Sequence, residues 1–358
     1  MELILFWNNF MAIVGKELPE LGNVVSLYTG AGGMDIGFHK AGFNIIWAND
    51  IDKNATATYK NIFPNHEIRT GSLLDQELPK SNHTDLVIGG PPCQGFSVAG
   101  KMDPNDPRSQ HVWNFLGVVN KTDPRVFVME NVKALAVNNR WKDLLERLRK
   151  EAKKMGYQTK VLLLNSADYN VPQARERMFL IGTKEGMIKT PKAISSDNRI
   201  SVNYALSKIP KFGTSGNDSL CTAKITPAKN PILRKSPYAG MLFNGQGRPL
   251  NLKLPALTLP ASMGGNRTPI VDQNAIEDET ITPWVETYHE RLLNGGKSLK
   301  NAPKFLRRIT VEEASVLQTF PVEMKFEGTQ SSRFRQIGNA VPPELAFHVA
   351  KSIKPLLA

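Results

Sequence analysis

The chain is expected to fold as an α/β protein, with a mostly parallel, doubly wound sheet and a smaller second lobe inserted before the last elements. Three observations predict this. From residue 24 to 182, apolar strand-like runs alternate with polar-faced helical stretches, the pattern of βα units that feed one parallel sheet. Residues 183–308 break that alternation and carry most of the net charge. A chain of 358 residues is too long for one small core and suits a large domain plus a second one.

The elements follow in order. Residues 24–28, VVSLY, read as a buried strand; a helix is expected through Asp35 to Ala41, and a second strand over 44–50, NIIWAND. A helix about Asn54 to Asn61 precedes the strand DLVIGG, with residues 72–75 read as a loop at a strand end. RVFVME at 125–130 is the next strand. The long helix from about Asn139 has Trp141, Leu144, Leu145 and Leu148 at i, i+3, i+4 and i+7 with charges opposite, and Gly156 suits its C′ position. KVLLLN and MFLIG are strands, and residues 165–170 a loop. After the inserted stretch, Thr310 with Glu313 forms a capping box before an amphipathic helix, and residues 336–353 read as a loop and a helix.

Net charge is +12, and residues 183–267 hold 13 Lys or Arg against 3 Asp or Glu. So local a surplus points to a polyanion, because neutralising phosphates releases condensed counterions. The same segment is rich in Gly, Pro, Ser, Thr and Asn, so it reads as loops and short strands rather than helices. Cys93 and Cys221 are the only cysteines and the six histidines lack metal-ligand spacing, so neither a disulfide framework nor a metal is expected, and a reducing cytosol is. The apolar N-terminal stretch MELILFWNNFMAIVG has no basic flank and is too short to span a bilayer; it reads as an element packed outside the larger domain.

Two turns carry chemistry. Residues 89–97, GGPPCQGFS, follow a short apolar strand, which puts Cys93 on a rigid turn at a strand's carboxyl end, the rim where α/β sheets bind ligands. Gly30, Gly32 and Gly33 begin a G-x-G-x-x-G run, but Asp35 stands at its sixth position, so the dinucleotide fingerprint fails and a different nucleotide-like ligand is indicated.

These blocks, with ENV at 130–132, QARER at 173–177 and QIGNAVPP at 336–343, resemble in order and spacing the motifs of the DNA (cytosine-5) methyltransferases, from residue 24 to 350 with one long unmatched stretch. The resemblance implies a Rossmann-like S-adenosylmethionine-dependent methyltransferase domain over 1–182, an inserted target-recognition domain over 183–308, and a return to the catalytic domain over 309–358, where the QIGNAVPP segment folds back on the first glycine turn. It implies S-adenosylmethionine at Tyr28, Gly30, Gly32, Gly33, Asp50, Ile51, Ser72, Leu73, Pro92 and Asn339. The family usually has Asp where Ser72 stands, a departure that bears on affinity. Cys93 would be the nucleophile and Glu130 the acid at the base, and Arg175 and Arg177, expected on one face of an extended segment, would join them there. Gln94, Ser97, Arg248 and Arg267 would contact double-stranded DNA. Further implications are a flipped-out cytosine, pairing with a restriction endonuclease, a monomeric state and the bacterial cytoplasm. The alternatives are a tRNA cytosine-5 methyltransferase, whose Cys-Phe-Thr tripeptide is absent here, and a non-catalytic nucleic-acid-binding homologue.

Overall fold

In the computed structural model the described residues are 21–92, 110–194 and 196–357; the apolar N-terminal stretch lies outside them. Strand β1 (Asn23–Leu27) is followed by helix α1 (Gly33–Lys40), β2 (Asn44–Asp50), α2 (Lys53–Ile62), β3 (Ile68–Thr70), β4 (Leu86–Gly89), α3 (Gln110–Thr122) and β5 (Val126–Val132). Then come α4 (Lys133–Val137), α5 (Lys142–Lys154), β6 (Gln158–Asn165), β7 (Gln173–Ala174) and β8 (Glu176–Thr183). Seven strands form one sheet in the order β3-β2-β1-β4-β5-β8-β6. Only β8 runs antiparallel to its neighbours. The chain winds outward from β1 and returns to β4 at its other edge, so the switch point, where such folds bind ligands, lies between β1 and β4.

Strands buried on both faces should alternate between two core layers, and they do. Val24, Ile45, Ile88 and Val128 enter one layer; Val25, Trp47, Val87 and Phe127 enter the other. Leu148 and Ala152 bury the inner stripe of α5, Trp141 is buried just before its start, and Gly156 beyond its end takes the left-handed conformation (φ 87°) expected of a C′ residue.

The remaining elements are α6 (Val202–Leu206), β9 (Pro227–Ile232), β10 (Met241–Phe243), β11 (Ala256–Leu257), β12 (Ile270–Asp272), α7 (Gln273–Glu277), α8 (Trp284–Leu293) and β13 (Leu306–Arg308). After them come α9 (Val311–Leu317), α10 (Gln330–Asn339) and α11 (Pro343–Ile353). Within 183–308, Val202, Leu250, Leu252, Ala256, Leu259 and Met263 join the first core layer of the sheet. Tyr238, Leu242, Phe243, Val285, Tyr288 and Leu292 form a separate cluster.

Several local expectations change. Residues 72–75 and 165–170 are not plain loops: Leu73–Asp75 and Ser166–Tyr169 are single 3-10 turns, capped by the Ser72 and Asn165 side chains. The long helix opens with a 3-10 turn at Asn139–Trp141, capped by Asn138. Gln336–Asn339 is the last turn of α10, which starts from the Thr329 cap and stops where Pro342 and Pro343 cannot continue it. The capping box at Thr310 forms as expected, with both reciprocal hydrogen bonds at 3.0 Å.

Candidate active site

The first glycine turn leaves β1 with Tyr28 (φ 54°) and Gly30 (φ 57°) in the left-handed region. A Cβ on Gly30 would meet nothing within 4 Å, so open space faces the turn there. One on Gly33 would lie 2.4 Å from the Val341 carbonyl oxygen. Only glycine therefore allows the segment after Asn339 to close on this turn, and the expected fold-back is in place.

On the neighbouring strand, away from β4, Asp50 ends β2. Its carboxylate accepts from the backbone N–H groups of Gly30 and Asp52, each at 2.8 Å. Burial holds the Asp50 carboxyl above the usual range, with those two amides opposing. Ile51 beside it is 73% exposed, an apolar surface presented outward. Ser72 spends its hydroxyl on the Leu74 N–H at 3.3 Å; Leu73 is buried and Leu74, which the sequence did not single out, is exposed. The Tyr28 hydroxyl lies 3.3 Å from both the backbone oxygen and Nδ1 of His111, whose ring meets the Tyr28 ring edge-on. Burial raises the Tyr28 phenol and lowers the His111 imidazole pKa. Asn339 is exposed at the end of α10, and Pro92 is half-buried after β4.

Cys93, Gln94 and Ser97 lie outside the described residues. The path towards Cys93 is nevertheless fixed on two sides. The Asn131 side-chain amide donates to the Pro91 carbonyl at 3.1 Å, and a Cβ on Gly90 would sit 2.9 Å from Glu130 Oε2. The strand carrying Glu130 thus touches the segment that leads to the cysteine. Glu130 is buried and pairs with Arg177, Nε to Oε1 at 2.8 Å. Burial raises its carboxyl above the usual range, while the Arg177 and Arg175 charges and the Arg177 hydrogen bond pull it back.

The two arginines of QARER divide their tasks. Arg177 holds Glu130. Arg175 is 1% exposed and donates to the backbone carbonyls of Leu259 at 3.3 Å and Gly338 at 2.8 Å. It therefore joins β7, the segment after β11 and the end of α10. Glu176 faces the other way and pairs with Lys133 at 2.8 Å.

In the inserted stretch, β11 pairs in parallel with β7. Arg248 and Arg267 are both exposed, on loops joined by the Gly247 N–H donating to the Asn266 carbonyl at 2.9 Å. Lys224, Lys229, Arg234 and Lys235 are exposed as well. Sequence reasoning missed Arg308: buried, it donates to the carbonyls of Ala223 at 2.9 Å, Thr268 at 2.5 Å and Lys224 at 3.3 Å, and so ties these loops together. Cys221, half-buried, lies in this stretch with its sulfur 3.5 Å from the Thr268 hydroxyl. Among the described residues no cluster of His, Cys, Asp or Glu could hold a metal, and no helix is long and apolar enough to cross a membrane.

The family profile described as C-5 cytosine-specific DNA methylase matches residues 22–355. The chain is 31% identical to the Type II methyltransferase M.FnuDI of Fusobacterium nucleatum, over 93% of this chain and 94% of that one. It is 32% identical to M.XorII of Xanthomonas oryzae pv. oryzae, over 93% and 84%. Among solved structures, a Spodoptera frugiperda DNMT2 mutant superposes with TM-score 0.65 at 18% identity, covering 94% of this chain and all (100%) of that one. The S. pombe Dnmt2 methyltransferase does so with TM-score 0.63 at 18% identity, over 93% and 99%.

Proposed function

The chain belongs to the C-5 cytosine-specific DNA methylases, and from that membership we propose that it methylates C5 of a cytosine flipped out of a specific duplex sequence, through a covalent bond between Cys93 and C6. The observation that carries this reading is the contact between the two strand ends: Glu130, paired with Arg177, lies against Gly90, and Asn131 holds Pro91 just ahead of Cys93.

Cytosine C5 is a weak nucleophile, and adding a thiolate to C6 makes the ring enamine-like and enriches C5. That addition puts charge on the ring unless N3 takes a proton. Glu130 suits the task because burial favours its protonated form, and Arg177 limits how far that shift goes. After C5 gains the methyl group, loss of the C5 proton and of the thiolate restores the aromatic ring. A stacked cytosine cannot present its ring face to sulfur, so the base must leave the duplex.

The methyl donor fits the first glycine turn: an open face at Gly30, a carboxylate at Asp50 for ribose hydroxyls and an exposed Ile51 for an adenine face. Tyr28, Gly32, Gly33, Ser72, Leu73, Pro92 and Asn339 would complete the pocket. When bound, S-adenosylmethionine supplies an electrophilic sulfonium methyl. Residues 183–308 would read the target, with Arg248 and Arg267 at guanine edges and the exposed lysines on phosphates. The relatives named Type II methyltransferases support a role alongside a restriction endonuclease, as the protecting partner.

Transfer of tritiated methyl from S-adenosylmethionine to duplex DNA or to tRNA tests the reading. Label in duplex DNA at one recurring sequence, lost in Cys93→Ser, is expected; label in tRNA alone would contradict it.

A further inference from the structure

Beyond the residues already placed in the site, one carboxylate is fully buried beside it: Asp35, in the first turn of α1. It accepts hydrogen bonds from Ser26 Oγ at 2.5 Å and from Thr29 Oγ1, and the Tyr59 hydroxyl faces it from α2. A buried charge is costly unless its hydrogen bonds are met, and here the Ser26 and Thr29 hydroxyls meet one carboxylate oxygen each. Those donors come from β1 and from the turn that follows it.

Thr29 is the residue on which this converges. It stands between Tyr28 and Gly30, both left-handed. Its N–H donates to the Asn49 carbonyl at 3.1 Å and its carbonyl accepts from Gly32 at 3.0 Å. The next N–H, of Gly30, holds the Asp50 carboxylate at 2.8 Å. A shift of Thr29 would therefore move both walls of the proposed pocket, Tyr28 and Asp50. Resting on the S-adenosylmethionine reading given above, we propose that Asp35 is a positioning residue for cofactor binding: its carboxylate clamps Ser26 and Thr29, and so sets the turn from which Gly30 orients Asp50.

The clamp is protonation-sensitive. Burial pushes the Asp35 carboxyl up to about 6, the Ser26, Thr29 and Tyr59 hydroxyls oppose the shift, and the Asp50 charge adds to it. The titratable groups facing Asp35 are Tyr59 from α2 and Asp50 from β2. Behind Tyr59 stand His66, 3.1 Å from its hydroxyl, and His39. Burial, and then the neighbouring His39, lower the His66 pKa to about 4, so His66 is neutral where Asp35 titrates. When Asp35 takes up a proton its charge no longer strengthens these hydrogen bonds, and one of the hydroxyls that donated to it must turn to accept instead. Cofactor affinity should then fall as pH falls through the Asp35 pKa.

The test measures S-adenosylhomocysteine binding by calorimetry, from about pH 5.5 to about pH 8, with melting temperatures for every variant. At the upper pH, Thr29→Val is expected to weaken binding about tenfold, the lower end for losing a hydrogen bond to a charged group. Thr29→Ser, which keeps the hydroxyl, is expected to restore wild-type affinity. Asp35→Asn is expected to weaken binding likewise and to lose the part of the acid-side decline that Asp35 causes, leaving any due to Asp50. If Asp35→Asn does not fold, the Thr29 pair decides alone. Wild-type affinity in Thr29→Val, or an undiminished pH dependence in a folded Asp35→Asn, would overturn the inference. Absence of wild-type binding at every pH would overturn the cofactor reading, and the inference with it.

Discussion

At Glu130 two influences oppose each other: burial favours the neutral acid, and the guanidinium of Arg177 at 2.8 Å favours the carboxylate. A group balanced in this way can donate a proton during the reaction and regain it afterwards. Glu130→Gln keeps the shape and cannot protonate N3. It should lower kcat by about 100-fold or more, the range general acid catalysis supplies, while DNA binding changes little. Single-turnover rates beside equilibrium binding check this, and equal losses in both would mark Glu130 as a structural residue. At this scale the sequence was legible where a residue type has one plausible task in its motif, as with Glu130 after VFVM. It was not legible where burial decides. QARER places two arginines alike along the chain, yet Arg177 holds a carboxylate while Arg175 is buried against two backbone carbonyls. Nothing in the alternation of an extended segment tells these apart, because the groups that bury Arg175 come from Leu259 and Gly338, over 80 residues away.

The elements of the inserted stretch work through what pins them. Arg308 at the end of β13 ties the loops at 223–224 and 268, and the loop bearing Arg248 is bonded to the one bearing Arg267. On the proposed reading these two exposed arginines, held in this way, would meet bases with defined geometry, and replacing either by Ala should relax specificity at one base position by about 1–3 kcal/mol. Replacing Lys224, Lys229, Arg234 or Lys235 should instead weaken all duplexes alike and reduce the salt dependence by about one unit of slope per lost phosphate contact. Competition binding with single-base variants at several salt concentrations separates the two behaviours. If the arginine and lysine variants lose the same affinity on every sequence, neither loop reads bases. The basic charge of this stretch was plain in the sequence, as were the Thr310 capping box and the apolar stripe of α5. The ten-residue helix α8 was overlooked although Trp284, Val285, Tyr288 and Leu292 share one buried face. The short 3-10 turns were hidden for a different reason: each depends on a single side-chain cap rather than on a periodic pattern.

The whole molecule brings distant segments of chain to the carboxyl edge of one sheet. β1 and β2 bring the glycine turn and Asp50, β4 and β5 bring the path to Cys93 and Glu130, and α10 with α11 returns from the chain's end to close on Gly33. The βα alternation foretold this sheet, and its one reversed strand, β8, carries Arg177 to Glu130 from the far side. The stretch 183–308 packs partly into the same core layer, so the segment proposed to read the target and the sheet proposed to carry the chemistry are built on one another. The proposed covalent complex would require all of them at once: bound duplex, flipped base, closed cofactor pocket and nucleophile. Duplex DNA carrying 5-fluorocytosine at the target position, incubated with S-adenosylmethionine, should therefore trap the enzyme, because fluorine cannot leave C5 as a proton does. Peptide mapping of the trapped complex is expected to find the base on Cys93. A complex mapped to Cys221, or no covalent complex at a target that is otherwise methylated, would contradict the account.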